Sequence, residues 1–339
     1  MLPAPRPYPD EMLSSAVMRC GRHFCLSLKD LARELGVAYV GRLTHFSVQY
    51  LPALARWVGV SPHELAWRHT MLPYTTSSCS ANSWSAQLEL LVSSGSTENA
   101  KLRRSVNGAA HKRYCAACLS EDLLNYGESY WHRCHHLPGA WLCKRHCMYL
   151  CVTELRTDFV ASSWRLLPHE VKGTPVLTAA PNPVVMRLSE TSTRALLRSP
   201  GPGTHFAPDY FRVLAARRGW CKPGSIVGAD WLAQALKDNL PTEYLRGCGL
   251  QRNLKMPRWM DASIVAARLL ANAANRDSNG AIPLRLWLLE ALLRVGTTQG
   301  DQQLRRSAPS QQEAGRVVLN VVSPMQASYS ERVGNHGSD

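Results

Sequence analysis

Two pairs of side chains, Cys115-x-x-Cys118 and Cys143-x-x-His146, stand 24 residues apart in this 339-residue chain. A two-residue spacer lets both members of a pair point at one ion from a tight knuckle. Two knuckles joined by a short loop-rich insert complete a tetrahedron, the geometry of structural zinc. Four protein ligands fill the coordination shell and leave no position for a reactive water, so the expected role of the metal is to hold a shape. Cys134, His135, His136, Cys147 and Cys151 lie in or just after the same stretch, and any of them could replace a ligand or contribute to a second site. Cys147 directly follows His146, so a knuckle that aims the imidazole at the metal turns that thiol elsewhere. No second C-x-x-C pair occurs, and His132, His135 and His136 read as surface or packing residues. Catalysis finds little support. Glu121 and Asp122 sit inside the insert and Glu170 stands alone near a proline, so no acidic constellation suits strand cleavage.

The elements around these knuckles must come from a globular chain, since 45% of residues are hydrophobic and 19% charged. The length suits about two or three domains. A net charge of +14 and a pI near 9.5 point to an anionic partner, most simply nucleic acid. The first ten residues are proline-rich and no signal-like apolar core follows them, nor does any run approach a membrane span. A reducing cytoplasm is therefore the expected compartment, where eleven cysteines favour metal over disulfide. Cys20, Cys25, Cys79, Cys221 and Cys248 read as ordinary buried thiols.

In chain order, Pro3, Pro5, Pro7 and Pro9 give an extended arm. A first helix is expected from residue 10 or 11 to 20. A second is capped by Ser27 and ended by Gly36, and a third starts within 37–43. The segments 31–37 and 54–60 both have helix-turn-helix character, a glycine making the turn between two helices. After the second of them, Ser61, Pro62 and Glu64 supply an N-cap, a first-turn proline and a capping-box acid. Pro73 is read as the end of this helical region, 77–84 as irregular, and 87–92 as a short apolar segment. A Ser/Gly/Asn-rich basic linker follows. Residues 151–168 read as strand or short helix and 171–183 as a boundary, with a second break at 200–203. Helices are expected at 208–218, 228–239, 262–274 and 283–294, the last a leucine-rich core helix.

The expected organisation is thus mainly α. A helix-turn-helix-like domain (1–92) is followed by a basic linker (93–112), a zinc-ribbon or zinc-finger segment (113–170) and a second linker (171–204). A helical, helix-turn-helix-like domain (205–296) and a flexible polar tail (297–339) complete it.

The central residues also carry a resemblance. Arg113, Tyr114, Cys115, Cys118, Leu119, Glu121, Asp122, Gly127, Tyr130, Trp131, Leu137, Pro138, Gly139, Cys143 and His146 look like the zinc-finger segment of the TniQ/TnsD family of transposition target-selection proteins. The amino terminus resembles the family's opening through Leu2, Pro3, Pro5, Pro9, Asp10, Glu11, Leu13, Ser14 and Ser15. So does the run from Leu54, Ala55 and Gly59 through Glu64 and Leu65 to Met71, Leu72, Pro73 and Tyr74. The likeness covers about residues 1 to 165, and the carboxy-terminal half resembles the TnsD-type helical extension more loosely. Ala116 departs from a proline common in the family, and no second finger is recognisable.

The resemblance implies a non-catalytic adaptor that marks an insertion site for a DNA transposon and recruits an AAA+ ATPase regulator, which brings the transposase. Zinc is the implied cofactor, with Cys115, Cys118, Cys143 and His146 as ligands. Double-stranded DNA is the expected partner, contacted by Arg42, His63, Arg68, Arg103, Arg104, Lys112, Arg113, Arg212, Arg217 and Arg218. A homodimer is compatible with this reading, and no membrane partner is expected. The alternative is a protein–protein adaptor that docks the transposition machinery on a CRISPR ribonucleoprotein and reads little DNA itself.

Overall fold

The capping signals in the sequence start helices where they stand. The computed structural model describes residues 4–39, 50–77, 81–93, 109, 111–157, 165–176, 180–201, 210–217, 235, 238–241, 244 and 283–295. All of these belong to one compact unit, Met1–Thr298. The described chain is mainly helical with one small sheet.

Helix α1 (Leu13–His23) begins later than expected because Asp10 and Glu11 are used otherwise. Glu11 is fully buried, forms an isolated bridge with His132, and its carboxylate accepts from Tyr8 N, Ser15 Oγ and Arg19. Helix α2 (Leu28–Glu34) opens on Ser27, whose Oγ accepts from Asp30 N at 3.1 Å. Residues 37–39 are not helical, and the rest of the third helix expected there lies outside the described residues.

Helices α3 (Leu51–Val58) and α4 (Pro62–His69) make the helical hairpin read from the sequence. Gly59 turns the chain at φ +72°, a conformation in which a side chain would be strained. Ser61 Oγ accepts from Glu64 N, and Pro62 occupies the first turn. Pro73 does not end the region. It sits in the first turn of a short helix, α5 (Leu72–Thr75), where its missing N–H costs nothing. Helix α6 (Ala81–Ser93) also takes in part of the stretch read as irregular, and Trp84 meets Trp67 of α4 edge-on at 5.6 Å.

Beyond the residues of the expected linker that lie outside the description, the chain enters a three-stranded antiparallel sheet, ordered β1-β2-β3. The strands are β1 (His111–Tyr114), β2 (Cys151–Arg156) and β3 (Gly173–Pro175). Tyr114 pairs with Cys151 and Thr153 with Gly173. Gly173 must lack a side chain, since a Cβ there would sit 2.8 Å from the Tyr114 ring. Between β1 and β2 runs helix α7 (Ala116–Tyr126), then the insert centred on Trp131.

The stretch 171–204, read as a linker, carries β3 and a fourteen-residue helix, α8 (Pro183–Leu196). Asn182 Oδ1 accepts from Val184 N and Val185 N, and Pro183 fills the first turn, an N-terminal signal masked by the serines and threonines that follow. Val184, Val185, Leu188 and Leu196 are buried. Helix α8 packs on α10 (Pro283–Val295), whose Leu288, Leu289, Leu292 and Leu293 are core, as the leucine density predicts. Helix α9 (Tyr210–Arg217) matches the expected 208–218 helix. The expected 262–274 helix, most of the 228–239 helix and the 297–339 tail lie outside the described residues.

One core joins the amino-terminal helices to the central segment. Trp131 is fully buried, its Nε1 donates to Leu166 O, its backbone N–H donates to Ser15 Oγ, and its carbonyl accepts from Met12 N. His69 of α4 lies in the same joint, its Nδ1 2.8 Å from Glu11 O. Burial lowers the His69 pKa from 6.5 to about 4 against the pull of that carbonyl. Between those values the unfolded chain binds a proton that the folded chain refuses, so stability falls as pH drops from 6.5 towards 4. The expected loss is on the order of 3 kcal/mol. Urea midpoints of the native chain and of His69→Asn, compared across that range, should converge as pH falls; parallel curves would contradict a neutral buried His69.

Candidate metal centre

The first knuckle is the junction of β1 with α7. Cys115 is the N-cap residue of the helix and Cys118 lies in its first turn, where unpaired N–H groups and the positive helix end favour thiolate. The second knuckle is the turn of a hairpin closed by the Leu142–Tyr149 bridge, with Cys143 N donating to Met148 O at 2.9 Å. Cys147 adopts φ +53° there and donates its N–H to Cys143 O at 2.8 Å.

These turns bring together all four of the side chains singled out by spacing. Their donor atoms lie within 4.8 Å of one another, three of the residues are buried, and His146 is partly so. His146 Nδ1 is 3.5 Å from Cys115 Sγ, 3.3 Å from Cys118 Sγ and 3.6 Å from Cys143 Sγ, and the Cys118 and Cys143 sulfurs are 3.7 Å apart. A tetrahedral ion with bonds of about 2.0–2.3 Å to nitrogen and sulfur needs donor–donor edges of about 3.5–3.8 Å. The separations fit that shell.

The electrostatics suit a cation. Hydrogen bonds from the Cys118 and Cys143 thiols drive the Cys115 pKa down, and the same sharing pushes those two up. A bound ion would displace the shared protons and let all three become thiolates. His146 Nε2 meets Glu121 Oε1 at 3.1 Å, a carboxylate behind a ligand imidazole that fixes the ring and leaves Nδ1 to face the cluster. Glu121 also pairs with Arg145 at 2.8 Å.

The other donors stand apart. Cys147 is exposed with its sulfur near Lys144 O, Cys151 is buried beside Tyr114, and Cys20 is buried, whereas Cys25 is exposed rather than the buried thiol expected. Cys79, Cys221 and Cys248 lie outside the described residues. His136 is buried, with Nδ1 on His132 O and Nε2 accepting from Arg113 N, and His132 pairs with Asp122 at 2.9 Å. His135 is buried too, but its Nε2 reaches Cys118 Sγ at 3.7 Å. Asp10, His132 and Cys134 form a second close group. Arg133 already occupies Asp10 Oδ1 at 2.9 Å and Cys134 N occupies Oδ2, so a cation there would face a guanidinium.

The residues expected on DNA are placed less uniformly. Lys112 and Arg113 are buried, which corrects their assignment to phosphate. Lys112 Nζ sits 4.1 Å from the centre of the Trp131 ring, and burial drives its pKa well below the usual lysine value. Arg113 Nη1 donates to Ala140 O at 2.7 Å. Both point into the core because β1 lies between the Trp131 insert and β2. His63 and Arg68 stand on the exposed face of α4, paired with Glu89 and Glu64. Arg217 is exposed on α9. The backbone of Arg212 lies in that helix, its side chain is not described, and Arg42, Arg103, Arg104 and Arg218 lie outside the described residues.

Residues 2–150, which span the arm, the α3–α4 hairpin and the whole four-donor cluster, match the TniQ family model. The chain carries a TniQ-family domain. That family is associated with target selection in transposition and acts as an adaptor. No curated protein sequence matches the chain. Among the described residues, no helix is long and apolar enough to cross a membrane.

Sequence reasoning gave Glu121 no place at the centre, and it named His135 only as a donor that could replace a ligand or as a packing residue. Glu121 falls three residues after Cys118, so α7 carries it one turn along the face that holds the thiol. No spacing rule flags His135, because it reaches the cluster from a separate turn.

Proposed function

We propose that this TniQ protein is a non-catalytic, zinc-stabilised adaptor that selects the target site for a DNA transposon and recruits an AAA+ ATPase regulator. The observation that carries the reading is the closed four-donor cluster inside the TniQ match, with a carboxylate behind its imidazole. Three thiolates and one imidazole favour zinc over harder cations. A filled shell stabilises the segment between two helical regions and supplies no reactive water. The net charge of +14 supports duplex DNA as the partner.

The pairing of His63 with Glu89 and of Arg68 with Glu64 favours a second reading, in which the α3–α4 hairpin docks on protein, including a CRISPR ribonucleoprotein. Fluorescence anisotropy on duplexes from insertion sites separates the two. A DNA reader gives a linear fall of log K with log salt, about −0.9 per phosphate contact, and Arg217→Ala makes that slope shallower by about 1. Duplex binding that is absent or indifferent to salt, beside tight binding to the ATPase or the ribonucleoprotein, would establish the second reading instead.

A further inference from the structure

His135 lies just outside the four-donor shell, in the 3-10 turn Cys134–His136. Its ring is 1% exposed, and its Nε2 is 3.7 Å from Cys118 Sγ, within reach for a hydrogen bond to sulfur. The His132 ring lies against it at 4.9 Å, and His136 is fixed on both of its nitrogens, so the turn has little freedom to swing away. His135 Nδ1 is buried with no hydrogen-bond partner among the described residues.

That orphaned atom decides the tautomer. A neutral imidazole has one N–H and one bare nitrogen. With the proton on Nδ1, a buried donor would go unsatisfied while the Nε2 lone pair faced a thiolate. With the proton on Nε2, the donor is satisfied by sulfur and only a bare acceptor is left over. A site of three thiolates, one imidazole and a divalent ion also carries one excess negative charge, which an N–H aimed at sulfur offsets.

Resting on the zinc reading above, we propose that His135 is a positioning residue of the metal centre, donating Nε2–H to the Cys118 thiolate from outside the ligand shell. It holds the sulfur in place and tightens retention of the ion without touching it.

The test uses the full chain. Loaded with cadmium-113 and labelled with nitrogen-15 histidine, it should show His135 as the Nε2–H tautomer, with a proton–cadmium correlation through the sulfur. Zinc affinity, measured by chelator competition, should fall about 10–100-fold in His135→Phe and stay within about threefold in His135→Gln, which keeps an N–H. The thiolate-to-cobalt charge-transfer band should shift in the Phe variant and return in the Gln variant. A direct nitrogen–cadmium coupling at His135, an Nδ1–H tautomer, or native zinc affinity in the Phe chain would overturn the proposal. The spectra of the native chain decide the matter if the Phe variant does not fold. A native chain that takes up no zinc overturns the zinc reading itself, a result distinct from a zinc-binding chain indifferent to His135.

Discussion

Replacing Cys118 with alanine is expected to take the zinc content of the purified chain from about one ion per molecule to none and to open the central segment to protease. Cys118 is buried in the first turn of α7 and its sulfur meets three other members of the centre. Its sulfur meets Cys143 at 3.7 Å, His146 at 3.3 Å and His135 at 3.7 Å. Structural zinc contributes about 10–16 kcal/mol of apparent binding free energy in small peptides. In this chain Trp131, Leu137 and Trp141 belong to the large core while Cys115, Cys118, Cys143 and Leu150 form a cluster of their own. A bound metal would therefore fix the two knuckles and α7, while the amino-terminal helices would keep their packing. Limited proteolysis should cut first within 113–150, and removing the metal from the native chain with a chelator should give the same fragments. One zinc per chain and native protease resistance in the variant would show that Cys118 is not a ligand of a structural metal.

Arg133→Ala should be the most damaging change away from the metal. The side chain is 4% exposed, its Nε donates to Asp10 at 2.9 Å, and its Nη1 donates to Trp67 O at 2.8 Å and Thr70 O at 2.7 Å. One guanidinium thus joins the amino-terminal arm, the end of α4 and the central insert. Truncation leaves the partly buried Asp10 carboxylate without its cation and strands two carbonyls at the end of a helix, at about 3 kcal/mol in all. Arg133→Lys should recover little, because an ammonium cannot reproduce the planar fork. Burial works to raise the Asp10 carboxyl, and Arg133 with the Cys134 N–H overcomes it, so Asp10 titrates below its usual value. The stabilisation from this pair is therefore present above about pH 4 and lost as pH falls below it. Thermal and urea unfolding of Arg133→Ala near neutral pH should show the full loss, and the gap from the native chain should narrow in acid. Asp10→Asn combined with Arg133→Met should be less destabilised than Arg133→Ala alone, since the double variant leaves no unpaired charge at the joint. A loss under about 1 kcal/mol for Arg133→Ala would mean that the joint is held elsewhere.

Local signals were legible where one residue and its near neighbours decide the outcome. Ser27 and Ser61 cap their helices and Gly59 turns α3 into α4, each through contacts within about a turn, and the leucine density of α10 marks a core helix whatever element covers it. The two metal knuckles belong to the same class, because a two-residue spacer itself sets the reach of each pair. Helix α8 escaped notice although Asn182 and Pro183 mark its start, since serine and threonine in its body compete for backbone hydrogen bonds and only packing on α10 and α5 tips the balance.

The amino-acid sequence by itself determined the four donors, their pairing into knuckles, the caps, and the basic character of the chain. Only the tertiary structure decided which polar side chains face inward. Lys112 and Arg113 read as cations for phosphate, yet β1 turns one under the Trp131 ring and the other onto Ala140 O. His135 read as packing, yet a turn 17 residues along the chain from Cys118 delivers it to that sulfur. Burial and long-range pairing depend on how distant segments meet, and a strand or turn aims a side chain only once its partners are in place.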